Sequence, residues 1–140
     1  MRSITFISLL ILVLGCTSSK KVAIAPGKLK GTWIPVTQEL GGRSLPKAVF
    51  EKQRLILSDS NYTLMAESVD KGVVRYQDNK MDIYGKEGVN AGKHFTAIYK
   101  YENGQLTVCY NLLGDSYPEA FETKSKPLLF LSVFNKEMIR

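Results

Sequence analysis

Residues 95–111 read FTAIYKYENGQLTVCYN, two β-rich runs joined by Glu102-Asn103-Gly104. Asn and Gly tolerate the left-handed backbone that a tight turn demands, so the two runs fold back on each other as an antiparallel hairpin. In the second run Leu106, Val108 and Tyr110 alternate with Gln105, Thr107 and Cys109. That period of two belongs to a strand with one packed face and one wet face. Moving toward the N-terminus, KMDIYG (80–85) and GVVRYQ (72–77) repeat the pattern around Asp78-Asn79, and Met81 and Ile83 oppose Lys80, Asp82 and Tyr84. YTLMAE (62–67) and QRLILS (53–58) repeat it around Asp59-Ser60-Asn61. GTWIPVTQE (31–39) and LLFLSVF (128–134) complete a set of about eight strands.

Strands joined by short turns pair in sequence order as a meander, and closing the meander on itself removes the exposed edges that invite aggregation. The fold class expected is therefore all-β, an antiparallel up-and-down barrel of about eight strands with one short helix. An interior of that strand number is just wide enough to be filled by side chains or to hold one small ligand. Helical periodicity is confined to Ser44–Lys52, with Ser44 as the cap and Pro46 in the first turn, the length of a short lid or plug.

The chain of 140 residues, 44% of them hydrophobic, suits one globular domain. Arg2 is followed by a run from Ile4 to Leu14 without a charge, ended by Gly15 and Cys16. That run is too short for a transmembrane helix, which needs roughly 20 residues, and has the length of a secretory signal core. Val13-Leu14-Gly15-Cys16 resembles the lipobox of bacterial lipoproteins, which implies cleavage of residues 1–15 and a lipid on Cys16. Residues 16–28 then read as the lipidated cysteine and a polar tether, punctuated by Pro26-Gly27, and residues 29–140 as the domain. The expected address is the bacterial cell envelope, lipid-anchored. Thr17 in place of the aspartate that retains some lipoproteins at the inner membrane points to the outer membrane.

Cleavage removes Arg2 alone, so the formal charge falls from +6 to +5. The lysines are scattered rather than striped, and an envelope address leaves no role for nucleic acid. Anionic head groups or glycans are the partners that suit this charge. With Cys16 spent on lipid, Cys109 has no partner for an intramolecular disulfide, and the core alone must hold the fold.

Gly31-Thr32-Trp33 at the start of the first strand resembles the opening of the lipocalin-like superfamily, where a Gly-x-Trp closes the end of the barrel. From Leu29 to Phe134 the chain resembles more closely an uncharacterised lipocalin-like bacterial domain family first noted in planctomycetes. The resemblance rests on Leu29-x-Gly31-Thr32-Trp33, the Gly-x-x-Leu-Pro of Gly42 to Pro46, Gly92-Lys93 before a strand, and Ala97-Ile98-Tyr99. Leu106-x-Val108-Cys109 and Pro118-x-x-Phe121 complete it. That family usually carries an arginine before the proline, and Tyr117 stands there in this chain. The resemblance implies a barrel and no established activity.

His94 is the sole histidine, which excludes a multi-histidine metal site within one chain. As a loop residue beside Gly92-Lys93 it reads as a solvated side chain. GKEGVNAGKH (85–94) looks like a phosphate loop but leaves three residues instead of four between Gly88 and Gly92-Lys93, and no Ser or Thr follows. The carboxylate pairs Asp78 with Asp82 and Glu119 with Glu122 lie in or beside turns, where acids are solvated. Cys109 reads as a small structural thiol, having no neighbouring cation in sequence to lower its pKa. No motif calls for catalysis, a cofactor or a metal.

Tyr62, Tyr76, Tyr84, Tyr99, Tyr101 and Tyr110 all fall on predicted strands, where an amphipathic ring lines a pocket and still offers a hydroxyl. Trp33, Tyr62, Tyr76, Tyr99 and Tyr110 are the candidate ligand-binding residues, set against the simpler reading in which they fill and coat the barrel. The functional expectation is a membrane-tethered, non-enzymatic module that binds a small apolar or amphipathic envelope molecule. The alternative is an interaction or inhibitor lipoprotein that grips an envelope protein through the loops Gly85 to His94 and Leu112 to Pro127.

Overall fold

The structure, a computed structural model, describes residues 24–140. The leader at 1–15, the lipid attachment at Cys16 and the tether as far as residue 23 lie outside the described residues. The strands are β1 (Gly31–Leu40), β2 (Arg43–Ser44), β3 (Arg54–Leu57), β4 (Asn61–Met65) and β5 (Val69–Gln77), followed by β6 (Lys80–Glu87), β7 (His94–Glu102), β8 (Gln105–Asn111) and β9 (Leu129–Lys136). From β3 onward each strand pairs antiparallel with the next; β1 pairs with β3, and β9 returns to pair with β1 from Trp33↔Lys136 to Leu40↔Phe130. Eight strands thus close into an up-and-down barrel, and the two-residue β2 adds a short ribbon to the end of β1. Pro35, which lacks a backbone N–H, is accommodated in β1 by a register shift between Pro35 and Thr37.

Because neighbouring strands are antiparallel, the connections fall alternately at the two ends, and the ends differ. One end carries the tight turns at 58–60, 78–79 and 103–104, where Asp78 (φ 54°), Asn103 (φ 53°) and Gly104 (φ 79°) take the left-handed conformation. This end is closed. A 3₁₀ turn at Pro26–Leu29 leads into β1 at this end; Ala25 to Lys28 stay exposed, and Leu29 is its buried residue. Leu29 and Trp33 are wholly buried, and the Trp33 Nε1–H donates to the Leu29 carbonyl at 2.8 Å. Tyr101 meets the indole edge-on at 5.9 Å, and Lys136 Nζ lies 5.5 Å from its ring centroid. The opposite end carries the longer connections at 41–53, 66–68, 88–93 and 112–128, and it is open.

The helix is shorter than the sequence implies. Gly41 and Gly42, both at positive φ, turn Arg43–Ser44 back onto Glu39 and Leu40, so Ser44 is held in a ladder and caps nothing. Helix α1 occupies Lys47–Phe50 only, with Pro46 at its N-cap, and Phe50 anchors it in the interior. Among the described residues no helix is long and apolar enough to cross a membrane.

The expected alternation of a packed and a wet face on β8 holds for the inner face and fails on the outer one. The 112–128 connection folds down the outside of the barrel as a flap. Thr96 Oγ1 donates to the Ser116 carbonyl at 2.5 Å, the Gly42 N–H donates to Thr123 Oγ1 at 2.9 Å, and Thr123 Oγ1 donates to Glu39. Cys109, on the outward face, is therefore fully buried together with Thr123.

Candidate functional site

The inward side chains near the closed end, Leu29, Trp33, Tyr99 and Leu106, fill the lumen. Above them the lumen is empty. A cavity of about 460 Å³ opens through the mouth, within the usual range for a small-molecule site. Its walls are apolar, built by Leu55 and Leu57 of β3, Met81 and Ile83 of β6, Phe95 of β7 and Phe134 of β9. Each of these is an inward position of an alternating strand, so the pattern that builds the core also lines the cavity. Polar groups gather at the mouth: Gln38, Gln53, Asn90 and Lys93. Gln38 Nε2 donates to Gln53 Oε1 at 2.9 Å, and the Asn90 N–H donates to the buried carboxylate of Asp70 at 3.0 Å, which fixes the 88–93 loop at the rim.

The aromatic residues singled out from the sequence divide into three groups. Tyr62 and Tyr110 line the cavity. Trp33 and Tyr99 belong to the closed end and do not line it; Tyr99 spends its hydroxyl on the Asp78 carbonyl at 3.0 Å. Tyr76 shares the inward face of β5 with the lining residue Val74, packs edge-on against Tyr99 at 5.9 Å, and holds a buried hydroxyl that has no hydrogen-bond partner among the described residues. Burial pushes the Tyr76 phenol up to about 12, helped by Tyr99. Burial likewise raises Tyr62, with Asp70 adding to it, and Tyr110, with Tyr76 and Tyr62 adding to it. All three phenols are neutral near pH 7. Among the described residues Lys93 is the one ionic side chain in the cavity wall.

Asn90 and Lys93 belong to the Gly85 to His94 loop singled out from the sequence, whereas Gln38 and Gln53 were not anticipated. Gln38 and Gln53 lie far apart in sequence and meet only because β1 and β3 are adjacent, and no local spacing marks them.

A second polar cluster lies outside the barrel. His94 is the first residue of β7, not a loop side chain, and its Nε2 lies 2.8 Å from Asp82 Oδ1. The Tyr117 hydroxyl donates to Asp82 Oδ2 at 2.5 Å, and the Tyr84 ring stacks on the imidazole at 4.6 Å. Burial raises the Asp82 carboxyl, but the hydrogen bonds from Tyr117 and His94 and the charges of His94 and Arg75 outweigh it and hold the group below its ordinary value. The cluster ties the flap to β6. Among the described residues no group of three or more His, Cys, Asp or Glu side chains is placed to hold a metal ion.

Comparison with protein-family models, with curated proteins and with solved structures finds no match.

Proposed function

We propose that the protein is a lipid-anchored, lipocalin-like module of the bacterial envelope that takes a small apolar or amphipathic molecule into its barrel without chemical conversion. The observation that carries this reading is the open cavity of about 460 Å³ with an apolar wall and a polar mouth. A ligand with an apolar body leaves water for the wall, at about 25 cal/mol per Å² buried. A polar end stays beside Gln38, Gln53, Asn90 and Lys93. The anchor rests on Val13 to Cys16 and the compartment on that anchor.

The test is native mass spectrometry of residues 21–140, secreted to the periplasm without the lipid cysteine. A reproducible added mass is expected, and it should vanish in Leu64→Trp, which puts an indole into the cavity wall. A bare protein that also gains no thermal stability from a panel of lipids, quinones and haem would refute the carrier reading. Both loops expected to grip a partner protein keep exposed side chains, Val89 in one and Leu113 in the other, although 112–128 also lies against the barrel wall.

A further inference from the structure

Among the described residues the exposed large apolar side chains are distributed unevenly. They are Val36, Leu40, Val49, Met65, Val69, Val89, Leu112, Leu113, Leu128, Met138 and Ile139. Val36 sits at the β1 bulge and the last two near the C-terminus. The other eight all lie on the connections of the open end or at the strand ends that meet them. Val49 is 56% exposed, Leu113 61% and Val89 68%. Every long connection contributes, so the mouth of the cavity wears an apolar collar. Soluble domains rarely gather exposed apolar side chains in this way without something to cover them.

Charge and chain path indicate what covers it. Lys47 and Lys52 flank Val49, and Arg43 precedes them on a connection whose only acid is Glu51. Lys93 follows Val89 on a connection with no acid, so these two connections form the basic side of the collar; 66–68 carries Glu67, and 112–128 carries Asp115, Glu119 and Glu122 against Lys124 and Lys126. Exposed apolar side chains interleaved with lysines suit the boundary between acyl chains and anionic head groups, where lysine keeps its ammonium in the polar layer. The chain leaves the barrel at the closed end, where the Tyr99 hydroxyl reaches the Ile24 carbonyl at 3.4 Å. From Ile24 to Cys16 an extended chain spans at most roughly 28 Å. Strands of eight or nine residues, tilted as barrel strands are, stand about 20 Å tall. A lipid on Cys16 therefore permits the barrel to lie mouth-down on the bilayer that holds it, and the short tether keeps the collar at high local concentration over that surface.

We propose that the collar around the open end docks on the lipid leaflet, so that the cavity exchanges its cargo directly with the membrane. The proposal rests on the anchored-carrier reading and adds the surface the carrier works against. Its test uses the lipidated chain in vesicles of phosphatidylethanolamine and phosphatidylglycerol, with an environment-sensitive fluorophore on Val89→Cys at the mouth or on Asn103→Cys at the closed end. Lipid-borne quenchers should quench the mouth label several-fold more than the closed-end label. Val49→Asp together with Leu113→Asp should abolish that difference, and neither residue lines the cavity. Equal quenching at both sites, stronger quenching at Asn103, or energy transfer between mouth labels of two copies without lipid quenching overturns the proposal. Mass spectrometry of the same sample reads the acyl group on Cys16 and any cargo. A chain without the acyl group removes the anchor and the proposal with it. Docking without cargo refutes the carrier alone, and cargo without docking refutes the collar alone.

Discussion

Replacing Trp33 with Phe separates a structural indole from a ligand platform. The change deletes the Nε1–H and leaves the Leu29 carbonyl, in a wholly buried setting, without its 2.8 Å donor. An orphaned buried acceptor costs about 1–3 kcal/mol. The smaller ring leaves a gap where the second indole ring stood, and full truncation of a buried Trp to Ala costs about 3–5 kcal/mol, so the loss of part of it contributes roughly 1 kcal/mol. Weaker edge contact with Tyr101 and with Lys136 takes about another 0.5 kcal/mol. The expected loss is therefore about 2.5–4.5 kcal/mol, a large share of the roughly 5–15 kcal/mol that holds a domain together. Urea unfolding followed by far-ultraviolet circular dichroism reads it without needing the indole as a probe. A hydrophobic dye in the cavity should bind the folded variant unchanged, because Trp33 does not line the cavity. A loss below about 1 kcal/mol, or a weakened dye with stability intact, would place the indole at the ligand and refute the closed-end assignment.

Asp82→Asn should flatten the acid limb of stability. The folded carboxyl is held below its ordinary value, so its contribution is present above the unfolded pKa and is lost as pH falls through the folded one. With the side chain 24% exposed the effect is about 1 kcal/mol, read as the difference in denaturation midpoint across the acid range. Tyr117→Phe removes the flap's hydrogen bond to Asp82 and should speed alkylation of Cys109 in a Cys16→Ser background. Burial pushes that thiol up and shields it, and an unchanged rate would mean that Tyr117 does not hold the flap. Gly72→Ala would set a Cβ 2.0 Å from the Tyr84 carbonyl oxygen and 2.6 Å from the Tyr62 ring, for a loss of roughly 3 kcal/mol or more in urea titration; a neutral substitution would contradict the close approach of β5 and β6 at this position.

The strands were legible because a meander is made of local decisions. Asp78-Asn79 and Glu102-Asn103-Gly104 set their own turns, and alternation such as that of Leu106, Val108 and Tyr110 identifies the inner face within one strand. The missed features depend on partners remote in sequence. Ser44 looks like a helix cap until Gly41 and Gly42 fold it onto Glu39. Cys109 belongs to a solvated face until Thr123, held by Glu39 and Gly42, brings the flap over it. His94 reads as a loop residue until Tyr84↔His94 pairing extends β7 and places the imidazole over Asp82. Of the candidate ligand residues, strand position and residue type selected all five equally. Which of them faces cavity and which faces core depends on height within the barrel, and that follows from shear between strands rather than from spacing along one.

The cavity is itself too large to be a packing flaw. Sealed and dry, a void of about 460 Å³ would cost roughly 10 kcal/mol, comparable to the whole stability of a domain. The open mouth lowers that cost by admitting water, yet water against Leu55, Ile83 and Phe95 gains few hydrogen bonds. The side chains do not collapse to remove the space because the strands that carry them are fixed by a closed ladder, and Tyr62 lies along the wall at Gly72 instead of reaching across the lumen. The lumen is thus held open at a standing cost that an apolar ligand relieves. Binding then adds directly to folding stability, about 2.7 kcal/mol at a ligand concentration one hundred times Kd. In this barrel the closed end is packed and the open end holds the cavity, the division of labour that the proposed carrier role requires.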